Sequence, residues 1–221
     1  MKRLIDNIKY HWIDLKLQRE VKKRFYIDPE FQKLDQALLT AYIFKNPYTI
    51  SRKYLQKKQE KMIHTYGETP LSTYDRVAQE VGLKPTDIFL ELGSGRGRGA
   101  LFINHFYNCQ TIGIERIPQF VKLSRHLAKT FGLERVTFTC ADMVQIPLPQ
   151  ASVIYLYGIC LPDAAIEQLI TNFQKMKKGT QIVSISFPLT DYDSKHFALK
   201  KSFPVTFPWG ETEGYVNLVI K

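Results

Sequence analysis

The stretch Asp87-Ile88-Phe89-Leu90-Glu91-Leu92-Gly93-Ser94-Gly95-Arg96-Gly97-Arg98-Gly99 carries more information than any other part of the chain. An apolar run closes on a carboxylate, Glu91, and a glycine then occupies every second position from Gly93 to Gly99. The run reads as a buried strand, and the glycines as a tight loop that opens a helix. Without a Cβ, such a loop can turn sharply and let a ligand lie against the backbone. A loop of this kind at the carboxyl end of a strand is where open α/β sheets bind nucleotides.

Outward from the loop, strand and helix patterns alternate. Strands are expected at about 87–92, 110–115, 135–140, 151–157 and 180–187, and helices at about 97–107, 117–131 and 163–176. The alternation predicts a parallel sheet with helices on both faces. Upstream, Thr69-Pro70 reads as an N-cap followed by proline at the first helical position. Leu71, Tyr74, Val77, Ala78 and Val81 form one face of that helix, and Gly82 stops it. Downstream, Phe203–Phe207 and Tyr215–Ile220 are β-rich and joined by Pro208-Trp209-Gly210-Glu211 with Gly214. No helix fits between them, which predicts an antiparallel hairpin.

Residues 1–62 differ from the rest. Leu4, Ile8, Trp12 and Leu15 recur at helical spacing, with Val21 and Phe25 beyond. Phe31, Leu34, Leu38 and Tyr42 mark a second helix, Ile50, Tyr54 and Leu55 a third, with Pro29 and Pro47 as punctuation. This extension holds 15 Lys+Arg against 7 Asp+Glu, nearly all of the chain's net charge of +10. A basic extension predicts an acidic partner: nucleic acid, an anionic membrane surface or an acidic protein. A merely solvated helical face accounts for the same charges.

No apolar run is long enough to span a bilayer. Met1-Lys2-Arg3-Leu4-Ile5 begins like a signal peptide, but Asp6, Asn7 and Lys9 interrupt it, so a cytoplasmic protein is the expectation. The three cysteines, Cys109, Cys140 and Cys160, are too few and too widely spaced for a disulfide framework or a zinc site, and read as small buried hydrophobes. No metal is expected.

Two nucleotide ligands suit the glycine loop. The dinucleotide pattern can be laid on Gly95, Gly97 and Ala100, with Glu115 20 residues after Gly95 as a ribose acid. S-adenosylmethionine (SAM) accounts for more residues: Glu91, the Gly93/Gly95/Gly97 spacing, Glu115 at the end of the second strand and Asp142 just past the third. A carboxylate at Glu115 can accept from two ribose hydroxyls in charge-assisted bonds. Asp142 can accept from an adenine amino group. The terminal hairpin also suits a methyltransferase sheet better than a dinucleotide domain.

From about Tyr66 onward the chain resembles class I, Rossmann-like SAM-dependent methyltransferases. More narrowly, it resembles the disruptor-of-telomeric-silencing family of histone lysine methyltransferases, which lack a SET domain. Tyr66-Gly67-Glu68-Thr69 matches that family's loop over the cofactor. Leu90–Gly95 matches its glycine loop, with Glu91 for the family's aspartate. Asn108-Cys109 leading to Gly113-Ile114-Glu115-Arg116 matches its ribose-binding strand. Ala141-Asp142-Met143 stands where the family has an acid and an aromatic that contact adenine. Asn172–Gly179 followed by Gln181–Ser184 also matches. Gly97-Arg98 and Phe187-Pro188-Leu189 are similar to the lysine methyltransferases of the ATP-synthase c subunit. Both families methylate protein lysines.

The resemblance implies a seven-stranded sheet with a C-terminal antiparallel hairpin over 63–221, preceded by the basic helical extension 1–62. It implies SAM as cofactor, S-adenosylhomocysteine as product and a protein substrate. The cofactor would be bound by Tyr66, Thr69, Glu91, Gly93, Ser94, Gly95, Gly97, Glu115, Arg116, Asp142 and Met143. The histone enzymes carry an asparagine pair after the fourth strand, whereas here Ser152–Gly158 runs through and Tyr157 takes that place. An Asp/Asn-Pro-Pro-Tyr run is also missing. Tyr157 and Tyr155, with Tyr66 and Phe187, are therefore the candidates to line an acceptor channel. A small-molecule or RNA acceptor, and a catalytically degenerate SAM-binding protein, stand as alternatives.

Overall fold

The computed structural model describes residues 2–63 and 65–221, with side chains from Tyr10 onward. Leu4 and Ile8 lie outside the described side chains. Three helices come first: α1 (Lys2–Arg24), α2 (Pro29–Ala41) and α3 (Pro47–Lys57). Then follow α4 (Leu71–Val81), β1 (Ile88–Leu92), α5 (Arg98–Tyr107), β2 (Gln110–Glu115), α6 (Pro118–Thr130), β3 (Val136–Cys140) and β4 (Val153–Leu156). The chain continues through α7 (Asp163–Phe173), β5 (Gln181–Ile185), β6 (Phe197–Phe207) and β7 (Gly210–Val219), with a short 3-10 turn at Leu189–Asp191.

The strands form one seven-stranded sheet in the order β3-β2-β1-β4-β5-β7-β6. β1 to β5 run parallel, and β7 and β6 close the sheet antiparallel. Alternation places Phe89, Val153 and Tyr155 in the core on one face, and Leu90, Leu92, Ile154 and Leu156 in the core on the other. The chain leaves β1 toward β2 and returns to β4 on its other side. That switch of direction opens a crevice at the carboxyl ends of β1 and β4. The glycine loop follows β1, and Tyr157 follows β4.

The extension packs into the same core as the sheet. Val21 of α1, Phe25 just after it, and Phe31, Leu34 and Leu38 of α2 are buried in it, and Leu17 of α1 is buried as well. Phe31 meets Phe102 and Phe106 of α5 edge-on, with ring centres at 5.5 and 4.9 Å. Asp28 caps α2 by accepting from the Glu30 and Phe31 amides, and Asn46 caps α3 likewise. Trp12, expected on the inner stripe of α1, is instead 63% exposed. The stripe that packs is Leu17, Val21 and Phe25.

Three other expectations need correction. The N-cap of α4 is Pro70 rather than Thr69, whose hydroxyl bonds to the Tyr155 phenol at 2.8 Å. Cys140 is exposed, because it ends β3 near the sheet's edge. The terminal hairpin is longer than expected, and only Pro208 and Trp209 connect its strands. Gly214 is not a turn residue: it pairs with Phe203, whose ring covers it so closely that a Cβ would come within 2.8 Å. The glycine reads as a turn in isolation because its aromatic partner lies on the other strand.

Candidate functional site

A cleft of about 590 Å³ opens at the carboxyl ends of β1, β2 and β4. Its size suits a small-molecule ligand. The sequence candidates Gly93, Glu115, Arg116, Asp142, Met143, Tyr66 and Tyr157 all line it. A smaller hollow beneath the loop is lined by Thr69, Glu91, Ser94, Gly95 and Tyr155, and shares Tyr66, Gly93 and Tyr157 with the main cleft.

Each acid has a definite environment. Glu115 is 7% exposed; its two oxygens accept from the Gly95 amide at 2.9 Å and the Ile117 amide at 2.8 Å. Burial pushes its pKa up against those two donors. The carboxylate thus ties the glycine loop to the end of β2, and each oxygen keeps a further lone pair for a ligand hydroxyl. Asp142 caps its own turn by accepting from the Val144 amide at 3.0 Å. Arg116 bonds to Glu60 at 3.0 Å and approaches Asp142 at 3.8 Å, joining the extension to the cleft rim.

Glu91 lies deepest, at 2% exposure. One oxygen accepts from the Tyr74 hydroxyl, while Oε2 has no hydrogen-bond partner. Ser94 Oγ is buried and likewise without one. Two polar atoms at the inner end of a ligand cleft suit a ligand that brings donors, as the ammonium of SAM's methionyl end would. Burial raises the Glu91 pKa to about 8. The folded state therefore holds this proton where an unfolded chain would have released it. The resulting stabilisation is complete below about pH 4.5 and is lost as pH rises through about 8. Glu91→Gln, which can still accept from Tyr74, should flatten that slope, worth on the order of 3–5 kcal/mol. Denaturant melts from pH 4.5 to 9 check this, and a slope that survives the substitution would refute the assignment.

Gly97 lines neither cavity. Its φ is +74°, and a Cβ would fall 2.5 Å from Ser124 Oγ and 2.7 Å from the Phe138 ring. The glycine lets α6 and β3 close against the loop, which is a packing role. Gly97→Ala should cost about 2–4 kcal/mol, the sum of left-handed strain and overpacking. A thermal melt within 2 °C of wild type would contradict this.

Tyr155 is 1% exposed, hydrogen bonded to Thr69 and packed on Tyr74, so it backs the smaller hollow from the core. Phe187 packs into the core and against Tyr192 rather than lining the cleft. Tyr157 lines the cleft. Its ring lies against Gly67, where a Cβ would come within 2.9 Å. It stacks on Phe207 at 4.8 Å, and Phe207 stacks in turn on Trp209. The Trp209 indole donates to the Tyr157 hydroxyl at 2.9 Å. Burial raises the Tyr157 pKa to about 12, so it stays a neutral phenol at pH 7.

Several site residues were not expected. Arg96 and Glu68 form a two-bond fork at 2.7 and 2.6 Å, which pins the Tyr66–Thr69 loop over the glycine loop. Arg98 forms a second fork, at 2.7 and 2.6 Å, to Asp35 of α2. Ser51, Leu55 and Met62 bring the extension into the cleft wall, and Cys160 and Leu161 follow β4 into it. The only sequence signal for the forks was the alternation of arginine with glycine, and it does not name partners 28 and 63 residues away. Among the described residues no cluster of three or more His, Cys, Asp or Glu is placed to hold a metal ion.

Residues 91–196, just under half of the chain, match the ANTKMT methyltransferase domain, the family model that takes in the ATP-synthase c-subunit lysine methyltransferase. A histone-lysine N-methyltransferase, H3 lysine-79 specific, from Caenorhabditis elegans is 28% identical over 136 residues. That match covers 54% of this chain and only 14% of the worm protein. An RNA methyltransferase from Salinibacter ruber, solved with S-adenosyl-L-homocysteine, superposes with a TM-score of 0.59 at 26% identity, over 70% of this chain and 95% of its own. A mutant of MtNAS in complex with S-adenosylmethionine superposes over 92% of this chain and 82% of its own, with a TM-score of 0.58. At 12% identity that last likeness speaks for the fold alone.

Proposed function

We propose that this class I, SAM-dependent methyltransferase transfers its methyl group to lysine side chains of a protein. The observation that carries the reading is the aromatic stack Tyr157–Phe207–Trp209 beside the cofactor cleft, in a chain similar to two lysine methyltransferase families. The reading divides the chain into a helical extension, 1–62, and a methyltransferase domain, 63–221.

Bound SAM supplies an activated methyl on a leaving group that needs no proton. Glu115 and Asp142 would hold its ribose and adenine. Glu91 and the loop amides would hold the methionyl end, and Met143 and Arg116 would flank the base. A lysine acceptor adds one demand, a neutral amine. At pH 7 a free lysine is neutral in only about 1 molecule in 2,500. An aromatic, dehydrated wall lowers an amine pKa, and aromatic faces also attract a methylammonium product. Tyr157, a neutral phenol already accepting from Trp209, orients the acceptor rather than removing its proton.

One observation favours a second reading. The Salinibacter ruber protein is named as an RNA methyltransferase, and this chain spans nearly all of it. Labelled SAM incubated with lysate and this protein distinguishes the two. Label removed by protease and retained after nuclease supports lysine; the reverse supports RNA. Acid hydrolysis of the labelled protein should then yield methyllysine.

A further inference from the structure

The charge of the extension is not spread evenly. A groove of about 840 Å³ runs along the outer face of α3, and Lys45, Lys53, Lys57 and Lys58 line it. All four are exposed. Among the described residues, the lysines in ion pairs are Lys33 and Lys201, so no carboxylate neutralises this group. At the end of the groove the chain turns from α2 into α3, and there Ile43 is 65% and Phe44 is 96% exposed. The same helix faces inward with Ser51 and Leu55, which line the cofactor cleft. One helix therefore carries a basic, apolar-tipped outer face and a wall of the active site.

A soluble surface does not need two adjacent large apolar side chains at the apex of a turn. RNA would account for the lysines, but single-stranded RNA is held on aromatic rings spaced to stack successive bases. Here the exposed apex pairs Phe44 with an isoleucine, which has no ring to stack, and the other ring of the groove, Tyr54, is half-buried in α3. An apolar pair flanked by lysines instead matches the interface of an anionic bilayer. There, apolar side chains enter the headgroup–acyl boundary while ammonium groups meet phosphates. Such an attachment is peripheral, and no helix among the described residues is long and apolar enough to cross a membrane.

We propose that the α2–α3 turn and the outer face of α3 dock on an anionic lipid surface, with Ile43 and Phe44 inserted and Lys45, Lys53, Lys57 and Lys58 on the phosphates. Docking of this kind would hold the cofactor cleft beside the membrane and direct the enzyme toward acceptors there. It does not depend on whether the acceptor is lysine.

The test is co-sedimentation of the full chain with vesicles of phosphatidylcholine alone and with phosphatidylserine added. Wild type should partition about a hundredfold more strongly onto the anionic vesicles, and lose that preference in high salt. Lys53→Ala/Lys57→Ala/Lys58→Ala and Ile43→Ser/Phe44→Ser should each weaken partitioning at least about tenfold. Calorimetric SAM affinity, unchanged in both variants, verifies that they are folded. Equal partitioning onto both vesicle types overturns the proposal, as does wild-type behaviour of either variant. A single-stranded RNA oligomer bound in a lysine-dependent way, without vesicle binding, would assign the surface to nucleic acid instead.

Discussion

Removal of the Glu115 carboxylate is expected to weaken SAM binding by one to two orders of magnitude. The side chain is placed for two jobs. It accepts from the Gly95 and Ile117 amides, and so holds the glycine loop against the end of β2. It also lines the cleft, where its remaining lone pairs would accept the ribose hydroxyls. Charge-assisted bonds of this kind contribute about 1.5–3 kcal/mol each, and about 1.4 kcal/mol is a factor of ten in affinity. Glu115→Ala should therefore lose at least about tenfold by calorimetry. Glu115→Gln, which keeps one oxygen acceptor, should fall between Ala and wild type. Melting without ligand separates the two jobs: loss of loop anchoring lowers the melting temperature of the unliganded protein, and loss of the ribose contact does not. Unchanged affinity in Glu115→Ala would overturn the ribose assignment.

Tyr157→Ala should reduce turnover by about a hundredfold while leaving SAM affinity within about threefold, because misplacing an acceptor is costly to rate and not to cofactor binding. The ring separates Gly67 from the Phe207–Trp209 stack, so its loss opens the acceptor side to water. Tyr157→Phe keeps the ring and removes the acceptor for the Trp209 indole, and should cost about tenfold. Because burial holds the Tyr157 pKa near 12, the pH–rate profile from 6 to 9 should keep its shape in Tyr157→Phe. Full activity in the Ala variant would return Tyr157 to a packing role. A changed profile in the Phe variant would make its hydroxyl a proton carrier, contrary to the geometry.

Most of the domain is legible along the chain because its signals are local. The β1 run, the glycines and Glu115 lie within one β-α-β unit, and the pattern that predicts the strands also places the acids at their ends. The core positions of α1 are less legible. Helical spacing proposes both Trp12 and Val21, and only the packing of α1 on α4 decides that Trp12 faces out. Tyr155 and Tyr157 lie two residues apart in one expected strand, and both read as candidates for the acceptor channel. They separate because β4 ends at Leu156: Tyr155 stays inside the sheet beneath Thr69, and Tyr157 emerges beyond the strand's carboxyl end.

By itself the sequence determined the alternation of strands and helices and, through the family it resembles, the cofactor; it also put Glu91, Glu115 and Asp142 at or just past strand ends, because these signals are local in the chain. Tertiary structure alone decided which glycine packs and which lines the cleft, since a Cβ at Gly97 meets Ser124 and Phe138 from elsewhere in the chain. It also decided that the basic extension is part of the site, through Arg98–Asp35, Ser51 and Leu55. Contacts of that kind join residues far apart in the chain, and no local period or propensity records them.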